Sequence, residues 1–179
     1  MKIKTITEIV VTSVLITLCA WISIPFTIAF TLQILGIAIT LKYLGGKKGL
    51  LSIILYLALG AIGIPVFSGF KAGLTALMGP TGGFILGFLL WGLVYMLLEP
   101  LIKKPYQSYL VQTLGLLLCY IMGVVWFMIL STNTSITFSK ALLICVVPFI
   151  IPDLLKIFMG EAIGTKLKVI IPIPNKTKC

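Results

Sequence analysis

From Tyr109 to Leu130 the chain runs without one charged side chain, and apolar runs of the same kind recur from Thr5 to Lys166. A helix needs ~20 apolar residues to cross the ~30 Å hydrocarbon core of a bilayer. The sequence therefore reads as an all-α membrane protein, a single integral membrane domain over residues 1–179. The overall balance agrees, since 60% of the residues are apolar and 10% are charged, against about half and about one quarter in a soluble domain. Too few polar side chains exist to clothe a water-soluble surface, which excludes a soluble enzyme. Histidine is absent, which removes every mechanism that needs an imidazole base or ligand. The net charge is +10, from 14 basic and 4 acidic residues. All the basic residues are Lys, and Arg is the better fork for phosphate and base edges, so the charge does not point to nucleic acid. Lysine at the cytoplasmic ends of helices is the simpler reason. Cys19, Cys119, Cys145 and Cys179 are scattered without CxxC spacing and read as small hydrophobes.

Pro, Gly and Lys clusters divide the hydrophobic sequence into six expected spans. The first runs from Thr5 to Ile24 and is ended by Pro25; it continues past any signal-peptide cleavage pattern and reads as a retained helix. The second, Thr31 to Tyr43, is short for a bilayer unless Lys42 snorkels. The third runs from Gly49 to Ile64, the fourth from the Gly79-Pro-Thr-Gly-Gly83 turn to near Glu99-Pro100, the fifth from Tyr109 to Leu130, and the sixth from Ala141 to Lys166. With both termini inside, the inner segments hold Lys2, Lys4, Lys42, Lys47, Lys48, Lys103, Lys104, Lys166, Lys168, Lys176 and Lys178, and the outer loops hold only Lys71 and Lys140. Cytoplasmic loops retain positive charge. The Lys bias thus predicts six transmembrane helices with both termini cytoplasmic.

The remaining lysine, Lys156, lies inside the sixth span three residues after Asp153, so the two share one helix face, continued by Gly160 and Gly164. Ionisable groups at membrane depth are costly and usually face an interior or a water-filled cavity, where they mark a ligand site or pathway. A pair that only pins two helices is the competing reading. Pro148 and Pro152 favour a site, because each removes an intrahelical bond and frees a carbonyl about four residues earlier. The turn Gly79-Pro80-Thr81-Gly82-Gly83-Phe84 is a second candidate: Pro suits the first turn of a helix, and exposed N–H groups at that start favour an acceptor oxygen. It equally suits a tight turn with close helix packing. Gln33, one of few amides in the apolar body, reads either as a ligand contact or as a helix-to-helix hydrogen bond. Glu8, Glu99 and Glu161 fall near span ends, leaving Asp153 as the acidic residue expected at depth.

No G-x-x-x-x-G-K-[ST] occurs, so the chain carries no P-loop of its own. No two-half inverted repeat is visible, which argues against a stand-alone secondary transporter.

Pro25-Phe-Thr27, Thr31-Leu-Gln33, Gly63-Ile-Pro65-Val-Phe67, Gly79-Pro-Thr-Gly-Gly83-Phe84 and Pro152-Asp-x-x-Lys156 stand in one order and spacing. In this the sequence resembles the biotin-binding substrate subunits of energy-coupling-factor transporters, over roughly residues 5 to 166. The resemblance implies a six-helix subunit in the cell membrane that captures biotin. It would dock on a transmembrane coupling subunit driven by two cytoplasmic ATPases, itself needing no cofactor and binding no metal or nucleic acid. It gathers the first outer loop, the Gly79–Phe84 turn and the Asp153/Lys156 face around one outward cavity. Biotin's carboxylate needs a cation, for which Lys156 is the one at depth. Its ureido ring suits Asp153 and Thr81 or Gln33, with Gly82 and Gly83 allowing close backbone approach. Its apolar parts suit Phe26, Phe67 and Phe84. Members of that family often carry Ala-x-x-x-Ala on the first span as the coupling surface. Here Ser13, Thr17 and Ala20 are the nearest equivalents, and Phe84 stands where Tyr is common. Two other readings remain beside it, a binder of another vitamin with the same architecture and a membrane protein with no transport role.

Overall fold

The computed structural model describes residues 3–24, 30–130 and 137–172. Helix α1 (Ile3–Trp21) leads into a short antiparallel hairpin, β1 (Ser23–Ile24) paired with β2 (Phe30–Thr31) in the register Ser23 to Thr31 and Ile24 to Phe30. Then come α2 (Gln33–Leu44), α3 (Gly46–Ala61), α4 (Gly73–Leu77), α5 (Gly82–Leu98), α6 (Pro105–Leu130), α7 (Phe138–Cys145) and α8 (Ile150–Ile170), with 3-10 turns at Ser68–Phe70, Glu99–Leu101 and Val147–Phe149. Helices α1, α2, α3, α5, α6 and α8 lie on the six spans expected from the sequence. Among the described residues, four segments are long and apolar enough to cross a membrane unaided: Ile3–Trp21, Gly82–Leu101, Pro105–Leu130 and Phe138–Ile170. With 12 and 16 residues, α2 and α3 are shorter.

The bundle has an apolar core like a soluble protein's but also an apolar exterior, with polar side chains inside along α8 and α6. Along α8 the buried residues are Asp153, Lys156, Ile157, Gly160, Glu161 and Gly164, a helical stripe of polar and small side chains. Its outer face carries Ile151, Leu155, Phe158 and Met159, with Ile151 81% exposed. On α6, Gln112, Gly115, Cys119, Tyr120 and Gly123 point inward while Leu110, Leu114, Ile121 and Val125 point outward. Lipid tails are as apolar as leucine, so the outer face is solvated by the bilayer and helices associate through close packing and interhelical hydrogen bonds. The most extensive contacts join α5 to α6 and α2 to α8. A Cβ at Gly160 would lie 2.6 Å from the Ala38 Cβ, and one at Gly164 would lie 2.7 Å from the Lys42 Cβ. Hydrogen at these positions is what lets α8 lie so near α2.

Three differences from the sequence reading have physical causes. The sixth span is not one helix from Ala141: α7 stops at Cys145, a 3-10 turn follows, and α8 begins at Ile150. Pro148 sits in that break, and Pro152 falls in the first turn of α8, where a missing N–H costs nothing. Ser13, Thr17 and Ala20 do not form an outer docking face. They are buried against α2 and α3, and the exposed face of α1 carries Val10, Val11, Val14 and Leu18 instead. Glu161 is interior rather than terminal, because α8 continues to Ile170. Its Oε2 lies 2.6 Å from the Lys42 ammonium, and its Oε1 accepts from Ser108 Oγ and Gln112 Nε2, each at 2.6 Å. Ser108 is in turn 3.1 Å from the Tyr95 hydroxyl, so one carboxylate joins α2, α5, α6 and α8.

Three further polar contacts tie down α1, α3 and the α2–α3 corner. Lys48 Nζ donates to Glu8 Oε2 at 2.7 Å and Ser52 pairs with Thr12 at 2.8 Å, joining α1 to α3. At the α2–α3 corner Gly45 adopts φ 80°, a left-handed conformation suited to glycine, and Glu99 Oε2 accepts the Gly46 N–H at 2.9 Å. Removing one partner of a buried pair leaves the other charge unpaired and costs about 3–5 kcal/mol. Glu161→Ala is therefore expected to lower the melting temperature of the detergent-purified protein by several degrees, and Lys42→Met in the same chain is expected to restore most of the loss. An unchanged melting temperature for Glu161→Ala would show the cluster to be structurally idle.

Candidate functional site

The break before α8 places Asp153 in the helix's first turn, where the positive end of the helix dipole favours a carboxylate. One turn on, Lys156 reaches back: its Nζ lies 2.8 Å from Asp153 Oδ1 and donates to the Thr31 carbonyl at 2.8 Å. The same ammonium sits 3.7 Å from the centre of the Phe30 ring, whose face attracts a cation. The second Asp153 oxygen accepts the Tyr120 hydroxyl at 2.6 Å. Asp153 and Lys156 are 2% and 6% exposed, so the pair is removed from solvent and every strong direction of both groups is answered by α6, α8 or β2. Held in this way, a buried pair is a fixed array of charge and hydrogen bonds rather than a flexible surface contact.

The pair is not sealed. Beside it lies a cavity of about 90 Å³ whose lining includes Asp153, Lys156, Tyr120, Thr31 and Gln33 together with Ile34, Phe67, Phe84, Ile85, Phe88 and Phe149. Of its lining residues Lys71 alone is exposed, which places the opening beside it. Apolar walls around a few convergent polar groups are the usual make-up of a small-molecule site. Gln33 is oriented by both ends of its amide: Oε1 accepts from Thr31 Oγ1 at 3.0 Å, and Nε2 donates to Tyr56 OH at 2.7 Å. Tyr56 is packed edge-on against Phe67, with ring centres 5.6 Å apart at 83°. Phe149 stacks on Phe30 at 6.0 Å. The aromatic wall and the charged floor are thus one packed unit.

Six residues singled out from the sequence, Gln33, Phe67, Thr81, Phe84, Asp153 and Lys156, line this one cavity. Gly82 and Gly83 do not. A Cβ at Gly82 would strike the Leu77 carbonyl and one at Gly83 would strike Trp126, so these glycines serve the close packing of α5 on α4 and α6. The turn's amides are largely engaged as well: Gly82 N donates to Gly79 O at 2.9 Å, and Phe84 N and Ile85 N each donate to Thr81 O at 3.1 Å. Phe26 lies outside the described residues. Tyr120, Phe30, Phe149 and Lys71 escaped the sequence reading. Tyr120 had a signal, since Gln112, Gly115, Cys119 and Gly123 mark the inward stripe of α6 on which it lies; the aromatic residues of the hairpin and of the turn before α8 had none.

Comparison with known proteins bears on the same residues. The BioY family model matches residues 1–172. A probable biotin transporter BioY of Pyrococcus horikoshii is 34% identical over 169 residues, covering 94% of this chain and 98% of the relative. The biotin transporter BioY of Thermotoga maritima is 38% identical over 156 residues, covering 86% and 89%. The crystal structure of an S-component for biotin from an ECF-type ABC transporter superposes with a TM-score of 0.84 at 26% identity, over 94% of this chain and 92% of that one. With the family model matched over residues 1–172 and relatives of 34% and 38% identity aligned over most of its length, the chain belongs to the BioY family.

Proposed function

We propose that this chain is the substrate-capture subunit of an energy-coupling-factor transporter and that the cavity beside Asp153 and Lys156 takes biotin from outside the cell membrane. The observation that carries the reading is the open cavity against a buried ion pair. This pair faces a space walled by Phe67, Phe84 and Phe149, whereas both Glu161 oxygens are occupied by Lys42, Ser108 and Gln112 from neighbouring helices. Biotin is a bicyclic urea with an apolar ring, an alkyl chain and a terminal carboxylate, so it asks for the three chemistries that meet here: hydrogen-bond donors and acceptors, apolar walls and positive charge. The family match and the biotin transporters among the relatives support that choice of vitamin.

The sixfold span pattern and the Lys bias support six crossings with both termini cytoplasmic, which puts the hairpin and the α4 region on the outer side. The chain has no P-loop, so uptake draws on ATP hydrolysed by partners: a transmembrane coupling subunit and two cytoplasmic ATPases. The exposed valines and Leu18 of α1 are the face offered to that coupling subunit, in place of the buried Ser13, Thr17 and Ala20.

Detergent-purified protein is expected to bind biotin and not thiamine or riboflavin in equilibrium titration. Lys156→Ala leaves the buried Asp153 carboxylate unpaired at the wall of the cavity and is expected to cost about 2–5 kcal/mol of affinity; binding undiminished in that variant would refute the site. For the topology, Lys140→Cys in a Cys179→Ser background is expected to react with a membrane-impermeant maleimide on intact cells, and Lys103→Cys only after permeabilisation. The reverse pattern would invert the orientation.

A further inference from the structure

Among the described residues Lys71 has no counter-charge. The chain contains four acidic residues, and each is engaged elsewhere: Asp153 with Lys156, Glu161 with Lys42, Glu8 with Lys48, and Glu99 with the Gly46 amide. Yet Lys71 lines the same cavity as the Asp153–Lys156 pair and is exposed at its opening. Its position there is fixed by the backbone, because the Phe67 N–H donates to the Lys71 carbonyl at 3.1 Å and closes the small loop around the 3-10 turn at Ser68–Phe70. Within the cavity the charges of Asp153 and Lys156 cancel, and Lys71 leaves one positive charge over. A cavity with low-dielectric walls and one uncompensated cation attracts a monoanion.

The deep ammonium is less suited to that task than the sequence suggested. Lys156 already meets a carboxylate, a carbonyl and a ring face, so an incoming anion there would face a cation that Asp153 has neutralised. We propose that Lys71 is the specificity-determining residue that receives the ligand's carboxylate at the mouth of the cavity, leaving the neutral Asp153–Lys156–Tyr120 cluster to the uncharged end. The inference rests on the biotin reading above and deepens it.

The test compares biotin with biotin amide, which keeps the ring system and chain and loses the charge, by equilibrium titration of wild-type protein and of Lys71→Ala, Lys71→Arg and Lys71→Glu. A hydrogen bond to a charged group is worth enough for a change of about tenfold or more. Lys71→Ala is expected to weaken biotin by that factor and to leave the amide within about twofold of wild type; Lys71→Arg keeps the preference for the acid, and Lys71→Glu reverses it. Rising salt is expected to weaken biotin binding to wild type more than to Lys71→Ala. Equal losses for acid and amide, or no loss for either, would overturn the assignment while wild-type biotin binding left the wider reading standing. Failure of the wild type to bind biotin would instead remove the reading on which it depends.

Discussion

An ammonium in the interior of a membrane protein is tolerated only where its surroundings answer it, and the arrangement around Lys156 shows how much of this molecule is organised to do so. Its carboxylate partner comes from one turn earlier on α8, the carbonyl of Thr31 from β2, and the ring face from Phe30. The carboxylate is in turn held by Tyr120 from α6. For these groups to meet, the chain must break before α8, so that Asp153 enters the first helical turn, and must fold back between α1 and α2, so that β2 lies over Lys156. The Val147–Phe149 turn and the hairpin supply those two conditions.

Glu161 and Asp153 sit on one stripe of α8, but their surroundings give them different work. Both Glu161 oxygens are taken by Lys42, Ser108 and Gln112, and on the same helix Gly160 and Gly164 lie close against α2. That cluster binds helices to one another. Around Asp153 the donors are equally short, but the neighbours on one side are aromatic walls standing back from a cavity. In a medium where apolar contact alone does little to choose helix partners, the Glu161 cluster gives the bundle a register, and the Asp153 cluster borders a cavity.

The sequence made the rare events legible and left the common ones ambiguous. Asp153 and Lys156 stood out because charge inside an apolar run is uncommon, and Gln33 for the same reason. Phe30 and Phe149 were invisible because an aromatic residue beside a hydrophobic span carries no mark of which surface it meets. Ser13, Thr17 and Ala20 misled because a stripe of small residues suits contact within the bundle as well as contact with a partner, and only the positions of α2 and α3 decide between them. Glu161 was misplaced by where the span was taken to end; its partner Lys42 lies on a helix far away in sequence, so proximity came from the α2–α8 crossing. In the Gly79–Phe84 turn Thr81 and Phe84 stand on the cavity, while Gly82 and Gly83 are spent on packing.

The central claim is that the Asp153–Lys156 pair exists for the ligand rather than for the fold. Replacing a buried ion pair by neutral groups of similar volume is often neutral or stabilising, so the claim is tested most directly by the double variant Asp153→Asn, Lys156→Met. Measured together, its melting temperature in detergent is predicted to stay at or above that of the wild type, while its biotin affinity falls by about a hundredfold. A double variant that melts far lower yet binds biotin as tightly as the wild type would contradict the account.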